Sequence, residues 1–135
     1  MSFNVKNKLI QKHVVDKIGT FYYFDNFMIS ELNEGLVVNL EVVLNVTNKL
    51  TMKHYGTTTP FVYISHRINS YSIQPTVHLT TQKLMPNTMG YAVVSYNSVH
   101  KEIVDIEKLF LDIPAKMFNC IEEAVTWANN IIVSS

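Results

Sequence analysis

The side chains of this 135-residue chain that could do chemistry are concentrated after two short apolar runs. Residues 61–64 (FVYI) lead into hydroxyl, amide and basic groups, and residues 91–94 (YAVV) lead to Ser95 and Tyr96. If both runs are parallel strands of a covered sheet, their ends meet at one edge, where sites usually lie. We call this edge, residues 65–72 and 96–100, the carboxyl edge. Its candidate ligand- or partner-binding residues are Ser65, His66, Arg67, Asn69, Ser70, Tyr71, Ser72 and Tyr96.

Arg67 is the residue of this group best suited to an anion. Helices predicted to start near Pro75 and Val99 would point their free N–H groups at the same edge, and the arginine fork could bind a phosphate or carboxylate with them. Such loops more often brace their own turn, so both interpretations stay open. Ser70 and Ser72 could accept a phosphoryl group, but we favour loop hydrogen bonding for both, with Ser72 helping to cap the next helix.

Other reactive residue types are scattered. His66 and His100 could approach each other at the carboxyl edge, but two histidines without a placed carboxylate are a weak signal for a metal or for acid–base catalysis. The sequence contains no phosphate-binding glycine loop, nucleophile elbow or paired-carboxylate pattern. We therefore predict a non-enzymatic protein without cofactor or metal. Residues that we interpret as solvated or structural are Asp16, Asp25, Glu31, Cys120 and Trp127.

Composition excludes several classes of function. The chain is 47% hydrophobic and 16% charged with a net charge of zero, which predicts one globular domain over residues 1–135, its first 12 residues irregular. The chain lacks the excess of basic residues that would attract nucleic acid. A weakly charged surface favours self-association, so a homodimer is possible. A single cysteine, with no signal peptide and no apolar segment of membrane-spanning length, predicts a cytoplasmic protein.

The elements that must position the carboxyl edge follow from turn and cap signals. Residues 20–24 and 27–33 predict an antiparallel hairpin across Asp25-Asn26, with one aromatic face in the core and the other forming a dimer contact or ligand wall. Asn39 caps a helix over 40–54 that Gly56 closes. A strand over 61–66 and a loop over 67–74 come next.

Strands and helices alternate through the rest of the chain. We predict a helix over 75–85, a strand over 90–96, a helix over 99–111 capped by Asn97 or Ser98, an edge strand over 116–118 and a final helix. The order implies an α/β fold with a mixed, mainly parallel sheet after the hairpin and about four helices. The apolar stripes predicted to be buried are Val99, Ile103, Ile106 and Phe110 on the third helix and Ile121, Ala124, Val125, Ala128 and Ile132 on the last.

Four segments in this order carry a family resemblance: IGTFYYFDNFMISELNEG, PFVYISHRINSYSIQP, GYAVVSY and EKLFLDIPAKMFNCIEEAVTWA. From about residue 12 to 130 the chain resembles small bacterial SpoIIAA-like (STAS/SEC14-like) proteins. The resemblance implies a STAS-like α/β sandwich and a non-enzymatic role. Anti-sigma antagonists of this fold carry an Asp-Ser-Ser-Gly phospho-acceptor, whereas residues 66–72 here read HRINSYS, without an Asp-Ser pair or a glycine.

Two hypotheses of function follow. The first is a cytoplasmic binding or regulatory module that acts through protein–protein contacts at the carboxyl edge, with an unknown protein partner and possibly as a homodimer. The alternative is a carrier or sensor of a small apolar or anionic ligand at the same edge. SEC14-like relatives suggest the apolar ligand, although this chain lacks the extra helices that enclose a lipid in larger proteins.

Overall fold

The computed structural model describes residue 3 and residues 5–134. Its strands are β1 Gln11–Val15, β2 Gly19–Tyr23, β3 Phe27–Leu32, β4 Val37–Val38, β5 Phe61–Arg67, β6 Ser72–Ile73, β7 Thr88–Ser95 and β8 Ala115–Phe118. Helix α1 has three consecutive segments, Leu40–Val42, a π-helical Val43–Thr47 and Asn48–Tyr55. The other helices are α2 Val77–Leu84, α3 His100–Lys108 and α4 Ile121–Ser134.

The main sheet has six strands in the order β1-β2-β3-β5-β7-β8. The first three strands are antiparallel to one another, and every pair from β3 onwards is parallel. Tyr63 pairs with Tyr91 and Ile64 with Ala92, so the two apolar runs lie side by side and point the same way. The prediction of an α/β fold with a mixed, mostly parallel sheet is confirmed, and the ends of β5 and β7 share one edge.

The hairpin across Asp25-Asn26 is confirmed, with Tyr23 opposite Met28. Its aromatic side chains differ from expectation, because both faces of the hairpin are buried within this one chain. Phe21 and Tyr23 pack on one side of the sheet, and Tyr22 packs on the other. A dimer contact or ligand wall made by one face of the hairpin is therefore wrong, since residues of the same chain already cover both faces, with Phe3 against Tyr22.

Helix α1 begins and ends as its cap residues predict. The Asn39 side chain accepts a hydrogen bond from the Val42 N–H at 3.0 Å, and Gly56 closes the helix with φ of 57°. The π-helical turn in its middle was not predicted. Such turns insert an extra residue per turn and are frequent at functional sites.

The two faces of the sheet are covered differently. Helix α4 covers one face together with Phe3, Val5 and Leu9, and we call this face the α4 face. The stripe of Ile121, Ala124, Val125 and Ala128 on α4 is buried as predicted. A side chain at Gly90 would meet Ile131 at 3.1 Å, so this glycine lets α4 approach β7 closely. Helices α1, α2 and α3 cover the opposite face, the three-helix face, against Phe21, Phe61, Tyr91 and Val93.

Helix α3 is rotated relative to its predicted orientation. Val99 and Ile106, expected in the core, are exposed, whereas Val104 and Glu107 are buried. Polar contacts explain the rotation, because the Glu107 carboxylate binds Arg67 and His78, and a buried charge needs such partners. Apolar periodicity alone selects the wrong face of this helix.

Segment boundaries differ in two further places. Strand β1 begins at Gln11, inside the stretch expected to be irregular, while Met1, Ser2 and Asn4 lie outside the described residues. The expected loop over 67–74 contains β6, which pairs with β4 in a small parallel ladder.

Within the described part of the chain, no helix has the length and apolar character needed to cross a membrane.

Candidate functional site

The eight predicted site residues are divided by the pleat of β5. Consecutive side chains of a strand point to opposite faces, so His66 lies on the α4 face while Ser65 and Arg67 lie on the three-helix face. Tyr71 joins the Arg67 side, and Tyr96 joins His66. The predicted edge therefore holds two separate polar clusters.

Arg67 is buried in a hydrogen-bonded network rather than presented to solvent. Its Nη2 atom lies 2.8 Å from Glu107 Oε1 and 3.0 Å from the Tyr91 hydroxyl, and its Nε donates to Ser65 at 3.1 Å. His78 Nε2 reaches the same Glu107 oxygen at 2.9 Å, as does the Tyr91 hydroxyl at 3.1 Å. The guanidinium is thus positioned by the fold, which fits the bracing role.

Sequence analysis missed Glu107 and His78. Glu107 is 40 residues from Arg67 and 29 from His78, and each sits on a helix with no local motif around it. The only local signal was that Glu107 has apolar neighbours in the sequence DIEKLF. The same pattern is typical of an ordinary helix surface, so it does not identify a buried carboxylate.

In this network Arg67 and Glu107 are charged, and the surrounding tyrosine hydroxyls are neutral. Burial tends to raise the pKa of Glu107, but the hydrogen bond from His78 and the charge of Arg67 outweigh it and hold that pKa below its usual value. Burial and the Glu107 charge raise the pKa of Tyr91 well above its usual value. Arg67 and Glu107 therefore cancel each other's charge beside neutral phenols.

The chain between β5 and α2 forms a strap, residues 68–74, over the three-helix face. The Asn69 side chain donates to the Leu32 carbonyl at 2.9 Å, and the Ser70 N–H donates to Glu34 Oε1 at 3.1 Å. Ser72 lies in β6 and is exposed, and no side chain caps α2, so the expected capping by Ser72 is wrong.

Two cavities lie on either side of the strap. A surface pocket of about 210 Å³ is lined by residues that include Arg67, Asn69, Tyr71 and Ser72. A second, partly open cavity of about 80 Å³ lies between the sheet, α1, α2 and residues 111–113. Tyr71 and Ile73 line both cavities, so these two side chains separate one from the other.

The second polar cluster joins Glu31, His66 and Tyr96. Glu31 Oε2 lies 2.8 Å from His66 Nδ1, and the Tyr96 hydroxyl lies 2.8 Å from His66 Nε2. Glu31, expected to be solvated and isolated, is instead buried and paired. The expected approach of His66 and His100 is replaced by these contacts, and His100 binds Ser95 instead.

This cluster can orient a proton but has no obvious substrate. When His66 is neutral with its proton on Nδ1 toward Glu31, Nε2 accepts the hydrogen bond from Tyr96. Burial, with the Glu122 charge next, raises the pKa of Tyr96, so its phenol stays protonated. Among the described residues, no group of three or more His, Cys, Asp or Glu side chains could hold a metal ion.

Comparisons with known proteins do not identify a family for this chain. No family model matches the chain, and no curated protein and no solved structure is significantly similar to it. The interpretation of the site therefore depends on the contacts described above.

Proposed function

We propose that this chain is a non-enzymatic, cytoplasmic binding module with a STAS-like fold, which acts through protein–protein contacts at the carboxyl edge. Its first partner is a second copy of the chain. The observation that carries the proposal is the set of large apolar side chains exposed at this edge and along α3. Monomers normally expose such side chains singly, and a group of them favours an interface.

The exposed group starts at the strand ends and continues along a helix. At the carboxyl edge, Tyr96 is 59% exposed, Val99 is 69% exposed and Ile68 is 46% exposed. Ile106 and Leu109 extend the group along α3, where Leu109 is 80% exposed. We call Val99, Ile106 and Leu109 the α3 stripe. Their spacing is helical, so one surface of α3 could pack against another chain.

Charge favours a second copy as the occupant. The chain has 11 basic and 11 acidic residues, so no long-range repulsion separates two copies. Basic and acidic side chains both occur on the same helix as the stripe, where Lys101 pairs with Asp105 at 3.2 Å. A twofold dimer would place this stripe against itself, as isologous interfaces require.

An anionic ligand at the same edge is less favoured by these contacts. Arg67 was the candidate cation, and Glu107 already neutralises it inside the fold. The alternative role as a carrier or sensor of a small ligand is supported by a different observation, the cavity beneath the strap.

Sedimentation velocity across a wide range of protein concentrations tests the proposal. We expect a reversible dimer, and Val99→Glu should raise its dissociation constant at least about tenfold, which is about 1.4 kcal/mol. Val133→Glu is the matched control, because Val133 is 82% exposed on α4 and lies away from the stripe. A wild-type chain that stays monomeric at every concentration, or equal weakening by both variants, would contradict the proposal.

A further inference from the structure

The cavity between the sheet, α1 and α2 is lined by apolar side chains and by neutral polar ones. Apolar side chains from four elements line it, among them Val38, Val43, Phe61, Val77 and Met85. None of the described residues that line it is Asp, Glu, Lys or Arg. A charged molecule inside would be desolvated without an ionic partner, which is strongly unfavourable. The walls therefore select a neutral occupant.

The cavity volume sets the size of that occupant. At about 80 Å³ it is several times larger than the space that one water needs, which is roughly 10–15 Å³. Apolar cavities of roughly twice this volume stay dry and admit a benzene-sized molecule. A molecule of a few heavy atoms is thus the appropriate class.

Most polar groups at the cavity wall already have partners within the protein. The Tyr63 hydroxyl donates to Ser30 at 2.9 Å, and the Thr51 hydroxyl lies 3.0 Å from that of Tyr23. His78 and Tyr91 are both bound to Glu107. These groups hold the wall in place and leave little hydrogen-bonding capacity for a ligand.

Asn48 is the exception at this wall. It begins the last segment of α1, directly after the π-helical turn, it is 9% exposed, and it lines the cavity. Its side-chain Nδ2 is buried and has no hydrogen-bond partner in the protein. An unmade hydrogen bond of this kind is unfavourable, so an acceptor placed in the cavity would recover it.

We propose that the cavity is a binding site for a small, neutral molecule with an apolar body and a single hydrogen-bond acceptor, such as a short-chain or cyclic ketone, ester or amide. Asn48 Nδ2 donates to the acceptor oxygen, and the apolar walls enclose the body. Entry is past Tyr71 and Ile73, because these side chains separate the cavity from the pocket at the surface.

A pair of nearly isosteric probes tests this assignment. Acetone has the acceptor oxygen, and 2-methylpropene replaces that oxygen with a carbon. We expect the ketone to bind at least about tenfold more tightly in NMR titrations of the full chain, which is about 1.4 kcal/mol. The side-chain amide resonance of Asn48 should move with the ketone and not with the hydrocarbon.

Two variants and one control decide between the possible outcomes. Asn48→Leu removes the unpartnered donor, so it should fold and bind both probes equally. The pair Val43→Ile/Val77→Ile narrows the cavity and should weaken binding of both probes. The control Val104→Leu, on the buried side of α3 and outside the cavity wall, should not. Equal affinity for the two probes in the wild type, or no binding of either, overturns the assignment.

Discussion

The two faces of the central sheet are built for different purposes. On the α4 face, Val62, Ile64, Ala92 and Val94 pack against the apolar stripe of α4, and the polar cluster of Glu31, His66 and Tyr96 lies only at the carboxyl end of the strands. On the three-helix face, the same strands place Ser65, Arg67 and Tyr91 in a buried polar network, beside a cavity of about 80 Å³. A dense apolar layer stabilises a fold, whereas a buried network and a cavity are costly to keep.

This difference indicates which face is expected to carry function. The α4 face supplies the apolar burial that stabilises the fold, so the other face can tolerate an unpartnered amide and a cavity. Proteins commonly depart from good packing at binding sites while satisfying it elsewhere. Three predictions test or refine the contrast, beginning with the largest expected effect.

Breaking the ion pair on the three-helix face should cost most. Glu107→Leu leaves Arg67 charged and buried without its carboxylate, which should lower the free energy of unfolding by about 3–5 kcal/mol. The double variant Arg67→Leu/Glu107→Leu should lose less, since it buries no unpaired charge. Urea denaturation monitored by circular dichroism measures all three proteins.

The matched control is an ion pair at the surface. Asp105→Ala removes the exposed contact with Lys101 and should change the free energy of unfolding by no more than about 1 kcal/mol. A double variant less stable than Glu107→Leu would show that the network does not behave as a buried charge pair.

Adding one methylene to each face should have opposite effects. Val94→Ile enlarges a fully buried side chain in the packed α4 face, and overpacking should destabilise the chain by about 1–3 kcal/mol. Val77→Ile projects into the cavity and should be neutral, or stabilising by up to about 0.8 kcal/mol. Thermal and urea unfolding measure both, and the same loss at both positions would remove the contrast in packing.

Lowering the pH should cause the smallest of the three losses of stability, through the Glu107 carboxylate on the three-helix face. The pKa of Glu107 is lowered in the folded protein, so its stabilising contribution is complete above the usual carboxyl value of 4.5 and is lost as pH falls through the lower folded value. The double variant Arg67→Leu/Glu107→Leu lacks this carboxyl group. Its free energy of unfolding should therefore fall less steeply below pH 4.5 than that of the wild type. Parallel slopes would show that Glu107 does not contribute to acid sensitivity.

Much of the fold could be predicted because its signals are local. The Asn39 cap, the Gly56 stop and the Asp25-Asn26 turn depend on neighbouring residues, and each occurs where expected. The apolar runs at 61–64 and 91–94 correctly indicated covered, parallel strands. The burial of α4 followed from periodicity because its inner face is purely apolar.

The candidate site was less predictable because its contacts are distant and polar. The position of His66 and Arg67 at the end of a strand was foreseen, but their partners Glu31 and Glu107 were not. Helix α3 turned a carboxylate inward and left Val99 exposed, against its apolar periodicity. Ion-pair geometry outweighed apolar periodicity there, and no local pattern reports that balance.

Local signals in the chain fix the order of strands and helices, their caps and the direction of the central strands, since these depend on backbone chemistry and short-range apolar patterns. Which side chains meet across the sheet, which face of α3 is buried, and the cavity that remains beside Asn48 follow from the tertiary fold. Hydrogen bonds and packing among residues far apart in the chain are set by how whole elements pack together.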